Sequence, residues 1–260
     1  MGRIYVFALL SIYLILSPVD ALSREEADKD QENDKIVILT YNVRNCRGLD
    51  NITDYQRVAD IINRIDPELV ALQELDSATQ RSGKIIVLNE LALRTKLHPT
   101  FGAAIDYQGG KYGIGILSKE KPVKWESTPL PGREESRSLL IVEFKNYIFC
   151  CTHFSLNEED RIKSVEIINN LFKETTKPVF LAGDLNATPG SEVIKTLEPG
   201  WLILNNTTEP TIPANNPRRC IDYLLVLKNS KYKYIAEQSI VEAEPLASDH
   251  LPVWVKVRIE

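Results

Sequence analysis

The sequence predicts an α+β fold in which two packed sheets carry helices on their outer faces. Short β-rich runs alternate with amphipathic helical segments along the chain, a pattern typical of sheet-and-helix architectures. Several strand segments follow one another with no helix between them, so part of the sheet structure must be antiparallel. From residue 35 onward the chain is long enough to bury a full core, which favours one large domain.

Periodicity predicts three helices. Thr53 and Gln56 form a capping-box signature for the first helix, which ends at the Asp66-Pro67 pair. The second helix is predicted over residues 87–97, and the third over residues 158–173 with Asn157 as its N-cap. The predicted strands cover residues 35–41, 69–72, 113–118, 138–144, 147–153, 179–182, 221–227 and 252–259.

The amino terminus has the layout of a cleavable secretory signal. Arg3 precedes an uncharged apolar run over residues 4–16, and small residues follow near position 21. An uncleaved anchor is the alternative, but this run is shorter than the roughly 20 residues that cross a bilayer. We therefore expect a signal peptide over residues 1–21, a charged flexible leader over residues 22–34 and a catalytic domain over residues 35–260. This interpretation predicts a periplasmic or secreted protein without a stable membrane anchor, and we separately expect a monomer.

Charge and cysteine content limit the function classes. The formal net charge is −5, which argues against a broad basic face for a nucleic-acid backbone but leaves room for a local basic cleft. The spacing of the four cysteines matches no zinc-binding pattern. In an exported chain these residues, Cys46, Cys150, Cys151 and Cys220, form either a disulfide or buried free thiols. Adjacent Cys150 and Cys151 should point to opposite faces of a strand.

Polar residues follow several of the apolar strands. Asn42, Glu74, Asp184, Asn186 and Asp249 carry the carboxylate and amide oxygens that Mg²⁺ prefers as ligands. Taken singly, an Asn or Asp after a strand is more typical of a turn or a helix cap. Their combination with two histidines favours an oxygen-ligand site over isolated turns and caps.

The chain has three histidines, and two of them stand beside these polar residues. His153 ends a predicted strand, and His250 follows Ser248-Asp249. His98 lies between a helix and Pro99, where a structural or merely exposed histidine is expected.

Seven short motifs then occur in the order seen in one enzyme superfamily. The sequence resembles the endonuclease/exonuclease/phosphatase superfamily over nearly all of residues 35–258. The matching segments are Thr40-Tyr41-Asn42, Leu72-Gln73-Glu74-Leu75, Tyr112-Gly113-Ile114-Gly115-Ile116-Leu117-Ser118, Thr152-His153-Phe154, Gly183-Asp184-Leu185-Asn186, Ile221-Asp222-Tyr223 and Ser248-Asp249-His250.

The resemblance implies a four-layer α/β/β/α sandwich of two mixed sheets, with the site at one edge of the sheets. It implies that Glu74 is the principal ligand of Mg²⁺ or Mn²⁺, helped by Asn42 and Asp249. It assigns Asp184 and Asn186 to the attacking water and a phosphate oxygen or second metal. His153 would contact the phosphate, and Asp222 would orient His250 as a general base or as a stabiliser of the phosphate.

Arg137 precedes a predicted strand and offers a bidentate phosphate contact, with a solvated surface arginine as the alternative. Family members that cleave abasic DNA carry an acid two residues after the first Asn, where this chain has Arg44. The sequence therefore resembles the branch of deoxyribonucleases, sphingomyelinases and phosphatases. We expect an exported metal-dependent phosphoester hydrolase acting on small or lipid-linked esters. An exported nonspecific endonuclease with nucleic acid as substrate, and a non-catalytic binding module, are the alternatives.

Overall fold

The computed structural model describes residues 35–260. The predicted signal peptide and leader lie outside the described residues. Within the described range, the helices are too short or too polar to cross a membrane.

Twelve strands and four α-helices make up the described part of the chain. In chain order they are β1 (Lys35–Asn42), α1 (Tyr55–Ile65), β2 (Leu69–Ser77), α2 (Val87–Thr95), β3 (His98–Tyr107), β4 (Gly110–Ser118), β5 (Lys124–Leu130), β6 (Arg137–Glu143), β7 (Ile148–His153), α3 (Glu158–Phe172), β8 (Val179–Asp184), α4 (Glu192–Leu197), β9 (Trp201–Ile203), β10 (Asp222–Leu227), β11 (Tyr234–Val241) and β12 (Val253–Ile259).

The strands form two mixed sheets of six strands each. The first has the order β11-β12-β1-β2-β4-β3, and the second has the order β5-β6-β7-β8-β10-β9. Strands β1 and β2 are parallel in the first sheet, and β7 and β8 are parallel in the second. Each parallel pair is flanked by antiparallel neighbours, as the run of strands without helices predicts.

Three apolar clusters hold four layers together. One lies between the sheets and joins side chains such as Ile38 and Phe180. A second packs α1 and α2 on the first sheet, and a third packs α3 and α4 on the second sheet. This confirms the predicted α+β sandwich of two mixed sheets with helices outside.

The cap of α1 corrects one local prediction. Asp54, not Thr53, is the N-cap, because its Oδ1 accepts a hydrogen bond from the Arg57 N–H at 3.0 Å. The cap of α3 is confirmed, since Asn157 Oδ1 accepts from the N–H groups of Glu159 and Asp160. Helix α2 ends at Thr95 rather than at the predicted residue 97. The residue after Thr95, Lys96, has a left-handed backbone conformation.

All four cysteines are buried free thiols. Cys150 packs in the cluster beneath α3, whereas Cys151 faces the interior between the sheets. The predicted opposite orientation of these neighbours is therefore confirmed, and of the two alternatives the structure has the free thiols.

Candidate active site

The predicted site residues meet at one edge of both sheets. Asn42, His153 and Asp184 end β1, β7 and β8 respectively. Parallel neighbours end at the same edge, so His153 stands beside Asp184 in the register of β7 and β8. Strand β10 runs the other way and begins at Asp222, which pairs with Asp184. Three adjacent strands thereby place His153, Asp184 and Asp222 side by side.

Glu74 lies at an irregularity inside β2 rather than after its end. The pairing of β2 with β4 shifts register between Leu72 and Leu75, and Glu74 has φ of 62°. A non-glycine residue in the left-handed region is strained, and such strain concentrates at functional sites. The bulge leaves Gln73 fully buried between the sheets and turns Glu74 into the cavity at the sheet edge.

Asn42 joins the two sheets at this edge. Its amide Nδ2 donates to Glu74 Oε1 at 3.0 Å and to Asp184 Oδ2 at 3.2 Å, and the side chain is fully buried. Its backbone oxygen accepts a hydrogen bond from Ser248 Oγ at 2.7 Å. Asn42 thus fixes the separation of two carboxylates that come from different sheets.

Asp222 and His250 form a buried pair. His250 Nδ1 lies 3.0 Å from Asp222 Oδ2 and 3.2 Å from Oδ1. Thr211 Oγ1 donates to the same carboxylate. The other ring nitrogen of His250, Nε2, lies 3.6 Å from Asp184 Oδ2. The imidazole is therefore held between two carboxylates, as the predicted orienting role of Asp222 requires.

Asp184 is the centre of the site. Its Oδ2 lies 3.4 Å from His153 Nε2, and its Oδ1 accepts a hydrogen bond from the Asn186 N–H at 2.9 Å. Asn186 has φ of 48°, and its Nδ2 donates to Phe154 O at 3.0 Å. Asn186 thereby links the ends of β7 and β8 and orients the Asp184 carboxylate.

The two histidines differ in charge because their surroundings differ. Burial lowers the pKa of His153 to about 4, although the Asp184 carboxylate opposes the shift. Burial would also lower the pKa of His250, but Asp222 and Asp184 outweigh it and raise that pKa to about 10. Burial raises the pKa of Asp184, against the effect of both histidines. Near neutral pH His153 is neutral and His250 is cationic.

Arg137 borders the same cavity but is already engaged. Its Nη2 lies 3.3 Å from Glu134 Oε1 and its Nη1 3.2 Å from Glu135 Oε1. The side chain is buried rather than a solvated surface arginine, and its Nε has no hydrogen-bond partner. Phosphate contact by Arg137 stays a prediction, since it requires the guanidinium to share its donors with a ligand.

The cavity has a volume of about 430 Å³ and is open at the surface. Its lining also includes residues outside the predicted catalytic and metal set: Tyr112, Glu135, Leu156, Ile212, Arg219 and Ile221. Of these, Tyr112 and Ile221 belong to motifs that match the family. Thr211 and Ser248 were also missed, although both hold site residues in place. Ser248 belongs to a motif that the sequence shows, whereas nothing in the local sequence marks Thr211.

The donor set fits a divalent cation. Glu74 and Asp184 approach the same Asn42 amide, and two carboxylates held this close favour a counter-charge between them. Asp184, Asp222 and His250 also present ligand-type atoms within 4.8 Å of one another. In that cluster the cationic His250 already supplies positive charge, so the Glu74 side has the greater need of a cation. Asp249 lies beside Arg44, with 3.9 Å between Arg44 Nε and Asp249 Oδ2, and hydrogen-bonds with Ser248.

The family model of the Endonuclease/Exonuclease/phosphatase family matches residues 39–250. The chain belongs to this family. A comparison with curated proteins finds no match.

Solved structures show the same fold. An endonuclease/exonuclease/phosphatase from Beutenbergia cavernae has a TM-score of 0.71 and 21% identity, over 87% of this chain and 72% of that one. The Bacteroides vulgatus protein of the same description has a TM-score of 0.71 and 18% identity, over 87% and 99%. A mannosyl-6-phosphatase from Bacteroides thetaiotaomicron has a TM-score of 0.63 and 16% identity, over 85% and 99%. At such identities the similarity supports the fold and not the substrate.

Proposed function

We propose that the protein is an exported, divalent-metal-dependent hydrolase of small or lipid-linked phosphoesters. The observation that carries the proposal is the convergence of Asp184 with the Asp222–His250 pair, His153 and the Asn42–Glu74 pair around one cavity. Members of the family are hydrolases of phosphoesters, including nucleases and phosphatases. A non-catalytic binder would have no need of a buried acid between two histidines.

Glu74, with Asn42 and Asp249, would hold Mg²⁺ or Mn²⁺, and Asp184 would remain free to act on the attacking water. The bound ion would neutralise charge on the phosphoryl oxygens and stabilise the departing oxygen. The amide of Asn42 presents its N–H groups to both carboxylates. Asn42 would ligate the ion through its amide oxygen Oδ1, which in this structure accepts a hydrogen bond from the Arg44 N–H at 3.2 Å.

Asp184 is the group placed to take a proton from the attacking water. Its environment keeps the carboxylate basic, because burial raises its pKa, and the Asn186 N–H fixes one of its oxygens. A base that receives a proton in the transition state works best when its pKa is raised towards neutrality.

His250 serves as a stabiliser of the phosphate rather than as a general base. A ring held between two carboxylates is protonated on both nitrogens, so it has no lone pair to accept a proton. Its Nε2–H is the donor on the cavity side, because Nδ1 is turned to Asp222. His153, neutral in this environment, would donate one hydrogen bond to the phosphoryl group.

The size of the cavity and the net charge of the chain favour small esters over nucleic acid. A cavity of about 430 Å³ accommodates a phosphoryl group with a small alcohol. The net charge of −5 is unfavourable for a broad nucleic-acid track. One solved structure with this fold is a mannosyl-6-phosphatase, so the fold itself is compatible with a small phosphomonoester. Export is inferred from the sequence of residues 1–21.

The test is release of nitrophenol from a phosphomonoester, a bis-phosphodiester and a phosphocholine ester, each with Mg²⁺, with Mn²⁺ or with EDTA. We expect metal-dependent turnover, and we expect His250→Ala to lower kcat by about 10²- to 10³-fold, the range for removing one hydrogen-bond donor that stabilises the transition state. His98→Ala is the matched control, because His98 is an exposed histidine on β3.

Equal activity in both variants would contradict the assigned site. If none of the three esters is cleaved and plasmid DNA is nicked in a salt-sensitive manner, the nuclease alternative is favoured. No cleavage of any ester or nucleic acid would favour the binding module.

A further inference from the structure

Three flat side chains lie against one another beside the catalytic cavity, and we call them the stacking ledge: Arg81, Tyr107 and Tyr112. The guanidinium carbon of Arg81 is 4.6 Å from the ring centre of Tyr107 and 5.3 Å from that of Tyr112. The two ring centres are 6.0 Å apart. None of these residues takes part in the proposed hydrolysis.

Buried and backbone contacts hold the ledge in place. Asp76 is fully buried and accepts hydrogen bonds from Arg81 Nε at 2.7 Å and from Nη2 at 2.9 Å. The backbone N–H of Arg81 donates to Gln108 Oε1 at 3.0 Å, and the Gln80 N–H donates to Gln108 O at 2.9 Å. The loop after β2 is thereby tied to the β3–β4 turn, so a ligand would meet a surface that is already formed.

The charge of the ledge distinguishes it from an anion site. The bidentate contact with Asp76 neutralises Arg81, so the guanidinium offers little net attraction to a second phosphate. The Arg81 side chain is 40% exposed, and Tyr107 and Tyr112 are each partly exposed, so the ledge keeps surface that a ligand can contact. Guanidinium planes and tyrosine rings stack favourably with flat π systems.

The ledge joins the catalytic cavity to a neighbouring groove. Tyr112 lines the cavity together with Glu74 and His153. Tyr107 lines a separate groove of about 520 Å³, formed by residues 106–111 with Ser77 and Ala78. Because the two tyrosine rings are neighbours, a substrate whose phosphate lies in the cavity can extend its alcohol part along the ledge towards the groove.

We propose that the stacking ledge binds the alcohol part of the phosphoester and selects alcohols that carry a flat aromatic ring. The proposal rests on the proposed function, because it takes the phosphate to lie in the cavity beside Tyr112. A saturated ring of similar size would bury comparable apolar area but cannot lie flat or offer a π face. Shape and π character, rather than hydrophobicity, therefore set the preference.

The test is calorimetric binding of two uncleavable probes in Mg²⁺, benzylphosphonate and cyclohexylmethylphosphonate. The wild type should bind the benzyl compound about 3- to 10-fold more tightly, the range expected for one aromatic contact beyond its buried area. Tyr107→Leu should abolish this preference. Arg81→Lys should reduce it, because lysine keeps a charge for Asp76 but lacks the planar group.

Tyr232→Leu is the matched control, since Tyr232 is another tyrosine beneath a cation, 5.1 Å from Lys231 Nζ, and does not line the cavity. It should leave the preference unchanged. Equal affinity of the wild type for both probes, or a preference that survives in Tyr107→Leu, would overturn the ledge proposal.

The nitrophenyl panel separates the two proposals. Turnover that depends on His250, combined with equal affinity for the two probes, would refute the ledge alone. Absence of both turnover and probe binding would refute the proposed function together with the ledge.

Discussion

At the scale of single residues, the protonation state of each histidine in the site depends on carboxylates that belong to other strands. His153 and His250 both contact Asp184, but only His250 has a second carboxylate, Asp222. Burial keeps His153 neutral, whereas the paired carboxylates keep His250 charged. The site therefore holds one neutral and one cationic imidazole.

The two histidines should leave opposite signatures in the pH dependence of stability. The folded pKa of His250 is raised from 6.5 to about 10, so its stabilisation is complete below pH 6.5 and is lost as pH rises to 10. The folded pKa of His153 is lowered from 6.5 to about 4. As the pH drops, the unfolded chain therefore binds a proton at His153 before the folded chain does. The free energy of unfolding falls between pH 6.5 and 4 for this reason.

Denaturant unfolding at a series of pH values in EDTA measures both effects. His250→Gln should flatten the alkaline side of the stability profile, and His153→Gln should flatten the acid side. The comparison uses the slope of the free energy of unfolding against pH, because either substitution also shifts the stability by an amount that is the same at every pH. His98→Gln should leave both slopes as in the wild type, and identical slopes in all three variants would show that the two environments are misassigned.

At the scale of secondary-structure elements, helix ends follow local rules that can be checked directly. Asn157 caps α3 through two hydrogen bonds, whereas Ser191 stands at the N-cap of α4 without a side-chain cap bond. The Ser191 hydroxyl is also buried without a partner. The N-cap side chain of α3 therefore makes capping hydrogen bonds, whereas the N-cap side chain of α4 makes none.

Asn157→Ala should lower the free energy of unfolding by about 1 kcal/mol, the usual loss for a capping side chain. Ser191→Ala should be neutral or slightly stabilising, because it removes an unsatisfied buried hydroxyl. Thermal or urea unfolding measures both changes. Equal destabilisation by the two substitutions would mean that the α3 cap bonds contribute nothing specific.

Gly183 precedes the central carboxylate, Asp184, and lets strands β7 and β8 pack closely beside the site. A Cβ at Gly183 would lie 2.0 Å from Thr152 O in the neighbouring strand β7, and Gly183 has φ of 157°. Gly183→Ala should cost about 1–3 kcal/mol of stability, as overpacking does, and should lower activity because Asp184 follows directly.

Gly83 is the control for this substitution. It also has a positive φ, of 64°, but a Cβ there meets nothing within 4 Å. Gly83→Ala should therefore lower the free energy of unfolding only by the strain of an alanine at positive φ, and it should keep full activity. Unfolding curves and the nitrophenyl assay test both variants, and a fully active Gly183→Ala would show that β7 and β8 can separate without moving the carboxylate.

At the scale of the whole molecule, the site lies at one edge of both sheets, and the carboxylates of Glu74 and Asp184 come from different sheets. Mg²⁺ that binds only the folded protein should raise its stability, by about 2.7 kcal/mol when its concentration is 100 times Kd. Glu74→Gln should reduce this gain together with the metal dependence of turnover. Scanning calorimetry with and without Mg²⁺ measures the shift, and an unchanged gain in Glu74→Gln would place the cation elsewhere.

Much of the fold could be predicted because buried strands and amphipathic helices carry local apolar patterns. The elements that were not predicted are mostly at the edges of the sheets: β3, β5, β9 and β11. Strands β5 and β11 are largely exposed, so they lack the apolar pattern that marks a buried strand. Helix α4 has only 6 residues, too few to show a clear periodicity.

The sequence by itself determined which polar residues follow the central strands, and with them the family and the candidate catalytic set. Only the tertiary structure decided that Asn42 bridges Glu74 and Asp184, that Thr211 supports Asp222 and that Arg81 stacks on Tyr107 and Tyr112. The reason is physical: these contacts join residues that lie far apart in the sequence, and their geometry follows from sheet register and packing. Charge state was decided at the same level, because pKa depends on burial and on neighbouring carboxylates that only the folded chain brings together.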